Sequence, residues 1–149
     1  MSFSRNIYED MKMSDVVFNN HLLLFVIERL GIDLGFSEKT IAEVCLEAKI
    51  NPQVFITISN LYNNVEGDSI DNFSYTDIKD VINYLKKSHR YYLEEKFPEI
   101  KNNIQIMISE NDESQIQLLA NFYEEYLKEV SEHINYENRV VFRFIIEMI

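Results

Sequence analysis

Glycine and proline are scarce in this chain, with 3 and 2 among 149 residues, and tryptophan is absent. So few turn-forming and helix-stopping residues exclude a turn-rich β architecture and favour long uninterrupted elements. Cysteine is scarcer still. The single Cys45 excludes an internal disulfide, and the charged, polar start carries no signal-peptide pattern, so a cytoplasmic location is expected. Cys45 itself reads as a small buried apolar residue. Basic side chains number 14 against 25 acidic ones, and no basic run relieves the net charge of -11. A phosphate backbone is repelled, so this chain alone is expected to bind no nucleic acid. The longest apolar run, residues 21–27, falls far short of the roughly 20 residues of a membrane span. No CxxC, phosphate-binding glycine loop or nucleophile triad occurs, so enzyme chemistry without a metal has no support.

What is present is a hydrophobic fraction of 46% with abundant Leu, Ile, Glu, Lys and Asn, the composition of an all-α protein. Residues 1–13 carry no usable period and read as a loose arm. Ser14 is placed to cap a first helix running to Arg29 and stopped by Gly31. Thr40 with Glu43 forms a capping box for a short helix through Ala48, and Asn51-Pro52 opens another through about Tyr62. These pieces make a small N-terminal helical module over 1–66. The polar stretch from Val65 to Ser74 is a hinge, and a long helical hairpin over 75–149 follows.

The hairpin's first helix is capped by Ser74 or Thr76. Its apolar positions, among them Ile82, Leu85, His89, Phe97 and Ile104, follow three- and four-residue steps over about 45 Å. Pro98 predicts a kink there or a split into two helices. Residues 109–113 form the reversal. Leu119, Phe122, Tyr126, Val130, His133, Glu137, Val140, Phe144 and Met148 then mark the facing stripe of the second helix, so the two stripes make half of a four-helix bundle.

His133 and Glu137 are four residues apart, hence neighbours on one helical face. A reversal near Asn111 puts His89 and His133 each 22 residues from the turn, so antiparallel packing brings them level. Two imidazoles and a carboxylate on a buried line suit iron or zinc, and a carboxylate can bridge two ions. The ordinary alternatives are a boundary histidine at 89 and a core-edge imidazole at 133 paired with Glu137. His21, in the apolar run, packs or caps. Tyr91, Tyr92, Tyr123 and Tyr126 either fill the bundle seam or lend hydroxyls to a metal site.

The segment His133-Ile134-Asn135-Tyr136-Glu137-Asn138-Arg139-Val140-Val141-Phe142 resembles the His-x-x-x-Glu-x-x-x-x-Phe signature of hemerythrin-like domains. His89 with Tyr92-Leu93 and Phe97-Pro98-Glu99-Ile100 resembles the first ligand helix of the branch that repairs iron-sulfur centres. Ahead of it, Gly31-Ile32-Asp33, Thr40-Ile41-Ala42-Glu43-Val44-Cys45 and Asn51-Pro52 resemble that branch's short N-terminal module. Leu34-Gly35-Phe36 stands where the branch carries paired cysteines. The resemblance covers about residues 77–149 and implies a non-haem di-iron centre with His89, His133 and Glu137 among its ligands. It also implies a second hairpin, which the chain, ending at Ile149, is expected to lack. A missing C-terminal segment or a second copy must then complete the site. Two copies supply four histidines and two glutamates, which predicts a homodimer through the hairpin's apolar faces. The function implied is stress response or sensing of oxygen, nitric oxide or iron, or repair of iron-sulfur centres. The alternatives are the signal-input and dimerisation region of a helix-turn-helix transcription regulator, or a metal-free interaction scaffold.

Overall fold

The computed structural model describes residues 6–63, 73–110 and 114–149. Every regular element among them is helical, so the fold is all-α. The contacts divide the chain into two compact units, residues 1–84 and 85–149. The expected hinge over 65–74 and the reversal near Asn111 lie largely or wholly outside the described residues.

The first unit begins earlier than the expected loose arm allows. Ile7 is buried and its backbone N–H donates to Asn60 Oδ1 at 2.9 Å. Lys12 and Thr40 form an isolated antiparallel bridge in which Met13 N–H donates to the Lys39 carbonyl and Ile41 N–H to that of Met11. The bridge aligns the starts of α1 (Met13–Asn19) and α3 (Ile41–Glu47). Lys12, not Ser14, occupies the N-cap, and it offers no side-chain bond. The single first helix is also broken: α1 stops at Asn19 and α2 runs over Leu23–Leu30. Asn20 is the cause. It takes extended backbone, its Oδ1 accepts from Leu22 N–H at 3.0 Å, and its Nδ2 donates to Asn63, bonds that compete with helix continuation. Gly31 ends α2 at φ 76°, as a left-handed cap should.

Both remaining caps match their sequence signatures. Thr40 and Glu43 form the reciprocal capping box, and Asn51 Oδ1 accepts from Gln53 N–H with Pro52 opening α4 (Pro52–Tyr62). α2 and α3 both pack on α4 around Met13, Leu23, Ile41, Cys45 and Phe55, all fully buried. The thiol of Cys45 is pushed up to about 12 by burial and by the charge of Glu9, which makes it an inert core residue. Arg29 is buried too, its guanidinium over the rings of Phe25 and Tyr84 and donating to the Tyr62 hydroxyl. The hydroxyls of Tyr62 and Tyr84 lie 3.0 Å apart. Through Tyr84 and Asp77 the first ten residues of α5 (Tyr75–Tyr91) belong to this unit.

In the second unit α5 passes into a π-turn, Tyr92–Lys96, and then α6 (Phe97–Glu110). The split expected at Pro98 takes this form. Phe97 N–H reaches back five residues to the Tyr92 carbonyl, relieving the turn that the proline ring would crowd. Opposite it, α7 (Ser114–Tyr136) leads into a second π-turn, Glu137–Val141, closed by Phe142 N–H on the Glu137 carbonyl, and then α8 (Phe142–Met148). His89 meets Asn138 and Phe97 meets Tyr123, so positions rise along one helix as they fall along the other. The helices are antiparallel neighbours.

The seam follows the predicted stripe on the first helix, where Phe97 and Ile104 are buried, and largely departs from it on the second. Tyr123, Ile134 and Phe142 are buried on the second helix, with Leu127 and Val130 half-buried between them. Phe122, Phe144 and Met148 of the predicted stripe are exposed by 64%, 61% and 70%. α7 and α8 are therefore apolar on two faces, and among the described residues of this unit only one is covered.

Candidate metal centre

His89 and Glu137 come from opposite helices and His133 lies one turn before Glu137, so a single carboxylate sits between two imidazoles. His89 Nε2 is 3.4 Å from Glu137 Oε2, and His133 Nε2 is 3.2 Å from Oε1. Each oxygen thus faces a different ring. The three residues picked from the sequence are together, but they are not equally enclosed. The side chain of His89 is 13% exposed and that of Glu137 31%, whereas His133 is 70% exposed. None of the three is fully buried, and His89 comes nearest. The reason is the seam: Ile134, the next residue, is buried, which leaves His133 on the exposed side of the helix.

Two residues outside the expected ligand trio, Asn138 and Phe142, hold His89 in place. Asn138 Oδ1 lies 2.9 Å from Nδ1, and the Phe142 ring is stacked on the imidazole, 5.7 Å between centroids and 11° between planes. Asn138 lies inside the second π-turn and Phe142 closes it. Phe142 stands in the quoted motif, where its five-residue spacing from Glu137 was the available signal; a π-turn, unlike an α-turn, stacks positions i and i+5.

Metal bonds of about 2.0–2.2 Å to imidazole nitrogen and carboxylate oxygen separate neighbouring donors by about 3.0–3.4 Å. The two contacts at Glu137 fall in that range. Imidazolium–carboxylate bonds close further, to about 2.7–2.9 Å. Donor type and pairwise spacing therefore fit a cation. The set is nonetheless incomplete: among the described residues no group of three or more His, Cys, Asp or Glu is arranged to hold a metal ion by itself.

The remaining candidates have plainer roles. His21 is exposed, its ring 6.4 Å from that of Phe18. Tyr123 donates its hydroxyl to the Phe97 carbonyl at 2.9 Å, across the seam it fills. Lys101 pairs with Glu124 at 2.8 Å beside it. No described helix is long and apolar enough to cross a membrane.

Fold and site together define an all-α protein with a His–Glu–His cluster at the π-turns of a helical pair. No family model matches the chain, and no curated protein or solved structure matches it either.

Proposed function

We propose that this protein is a hemerythrin-like metal-binding protein that uses non-haem iron, held through His89, His133 and Glu137, for sensing or stress response in the cytoplasm. One observation carries the reading: imidazoles from two helices meet the two oxygens of one carboxylate at donor-to-donor distances. Bound iron would supply a redox-active centre whose ligation state can bias helix packing. His89 and Glu137 orient the site from the seam, and His133 presents its donor on the uncovered face. A second copy of the chain is the occupant proposed for that face. It would bring the same three donors to a set that is incomplete alone, and it would cover Phe122, Phe144 and Met148. The net charge of -11 favours a cation at the site and disfavours a nucleic-acid partner.

The exposure of His133 favours a second reading, a metal-free scaffold in which the trio is only a set of polar contacts. Metal quantification after size-exclusion chromatography, on protein from iron-supplemented medium, decides between them. Iron co-eluting with the chain, and lost in His133→Ala and Glu137→Ala while helicity is kept, is the expected result. Iron near zero even in reducing, anaerobic buffer would establish the scaffold.

A further inference from the structure

The imidazole of His89 has two neutral tautomers, and its surroundings distinguish them. With the proton on Nε2, the Nδ1 lone pair would point at Asn138 Oδ1 across 2.9 Å, and Nε2–H would meet Glu137 Oε2 only at 3.4 Å. With the proton on Nδ1, the short contact becomes a hydrogen bond with Asn138 as acceptor. The second arrangement gains the shorter bond and moves the facing of lone pairs from 2.9 Å at Asn138 to 3.4 Å at Glu137. It leaves the Nε2 lone pair aimed at a carboxylate, a contact that a bound metal ion completes, as would a second proton on the ring.

We infer that Asn138 is a positioning residue: its amide oxygen fixes His89 as the Nδ1–H tautomer and so keeps Nε2 free to coordinate, while Phe142 holds the ring plane. The geometry stands by itself; its purpose rests on the metal-binding reading above. The pattern matches how ligating histidines are usually supported, the second ring nitrogen donating to an oxygen that sets tautomer and orientation. Here the support comes from the residue next to the carboxylate ligand. One π-turn therefore carries both Glu137 and the group that orients its partner imidazole.

Long-range 1H–15N correlation spectra of the metal-free full chain test this, in alkaline buffer where imidazoles are neutral. The three histidines are assigned with His21→Gln and His133→Gln variants. The wild type should show His89 as the Nδ1–H tautomer. Asn138→Asp, whose carboxylate can only accept, should keep it, and Asn138→Leu should shift the ring to Nε2–H or a mixture. An Nε2–H form in the wild type, or an unchanged tautomer in Asn138→Leu, overturns the inference. Zinc(II) titration against a chromophoric chelator should show Asn138→Leu binding about 10-fold weaker or more and Asn138→Asp at least as tightly as wild type. Equal zinc affinity in Asn138→Leu would also overturn it. A wild type that takes no zinc or iron sinks the metal-binding reading separately, and the tautomer result still decides the role of Asn138.

Discussion

Asp77 shows how a short polar residue can join two elements. Its carboxylate accepts from Ser74 N–H at 2.7 Å and from the Asn51 amide at 3.1 Å, and its own N–H donates to Ser74 Oγ. Ser74 thereby caps α5, and the N-cap of α4 is tied to the same carboxylate. Burial raises the Asp77 pKa, but the bonds from Ser74 and Asn51 together outweigh it and hold the group below the usual aspartate value. A depressed folded-state pKa contributes stability that is present above the unfolded value, about 3.9, and is lost as pH falls through the folded one. Asp77→Asn should therefore cost about 1–2 kcal/mol at neutral pH, and the cost should shrink as pH is lowered below about 4, followed by urea denaturation across that range. Asp80, pushed up by burial and by the charge of Asp77, is relieved in that variant and trims the difference. At the seam, Tyr123→Phe removes the bond to the Phe97 carbonyl without emptying the site, so a loss of about 1 kcal/mol in unfolding free energy is expected. The capping residues were legible because each satisfies its own neighbours within three positions; Asn138 was not, because what it supports lies 49 residues away.

Elements were legible where one period ruled and illegible where it changed. The capping box at Thr40, the Asn51 cap and Gly31 fix the end of α2 and the whole of α3 and α4 locally, so these emerge as read, whereas the break at Asn20 did not. The stripe of α7 did not, since Leu119, Phe122 and Tyr126 are as apolar and as regularly spaced as Ile116, Tyr123 and Leu127, and periodicity cannot rank two apolar faces of one helix. Nor does a 3.6-residue template register a π-turn. Yet both π-turns follow one rule: each ends where a buried phenylalanine, Phe97 or Phe142, sends its N–H to the carbonyl five residues back. A π-turn absorbs one extra residue, so residues beyond it keep the face they would have in an α-helix one residue shorter. Deleting the exposed Arg139 should therefore give continuous α-helical spacing with Phe142 one turn beyond Glu137 and still stacked on His89. Circular dichroism and the ring-current shift on the His89 protons should both persist, whereas Phe142→Ala should abolish the shift and cost about 3–5 kcal/mol. Loss of the shift in the deletion variant would mean that the stacking depends on the π-turn itself.

The charge of the whole chain opposes the self-association proposed for its outer apolar face. Each copy carries -11, so a dimer brings -22 together from 2 × -11, and the hydrophobic gain from covering Phe122, Tyr126, Phe144 and Met148 must exceed that repulsion. Surface repulsion is screened over about 10 Å at 0.1 M salt and about 3 Å at 1 M, whereas apolar burial is not weakened by salt. The dimer should therefore tighten as sodium chloride rises, the reverse of what an interface held by opposite charges would do. Sedimentation velocity across that range reads this directly. Phe122→Glu sharpens the test, because it places a charge on the exposed face and leaves the buried neighbour Tyr123 in its seam. It should give a folded monomer at every salt concentration. The proposed metal adds a second handle: an ion shared between copies would offset part of the charge and link assembly to occupancy, so on that proposal a chelator should shift the wild type toward monomer, most strongly at low salt. A wild-type chain monomeric at high salt with metal bound would assign the outer face to another partner and the ion to one hairpin alone.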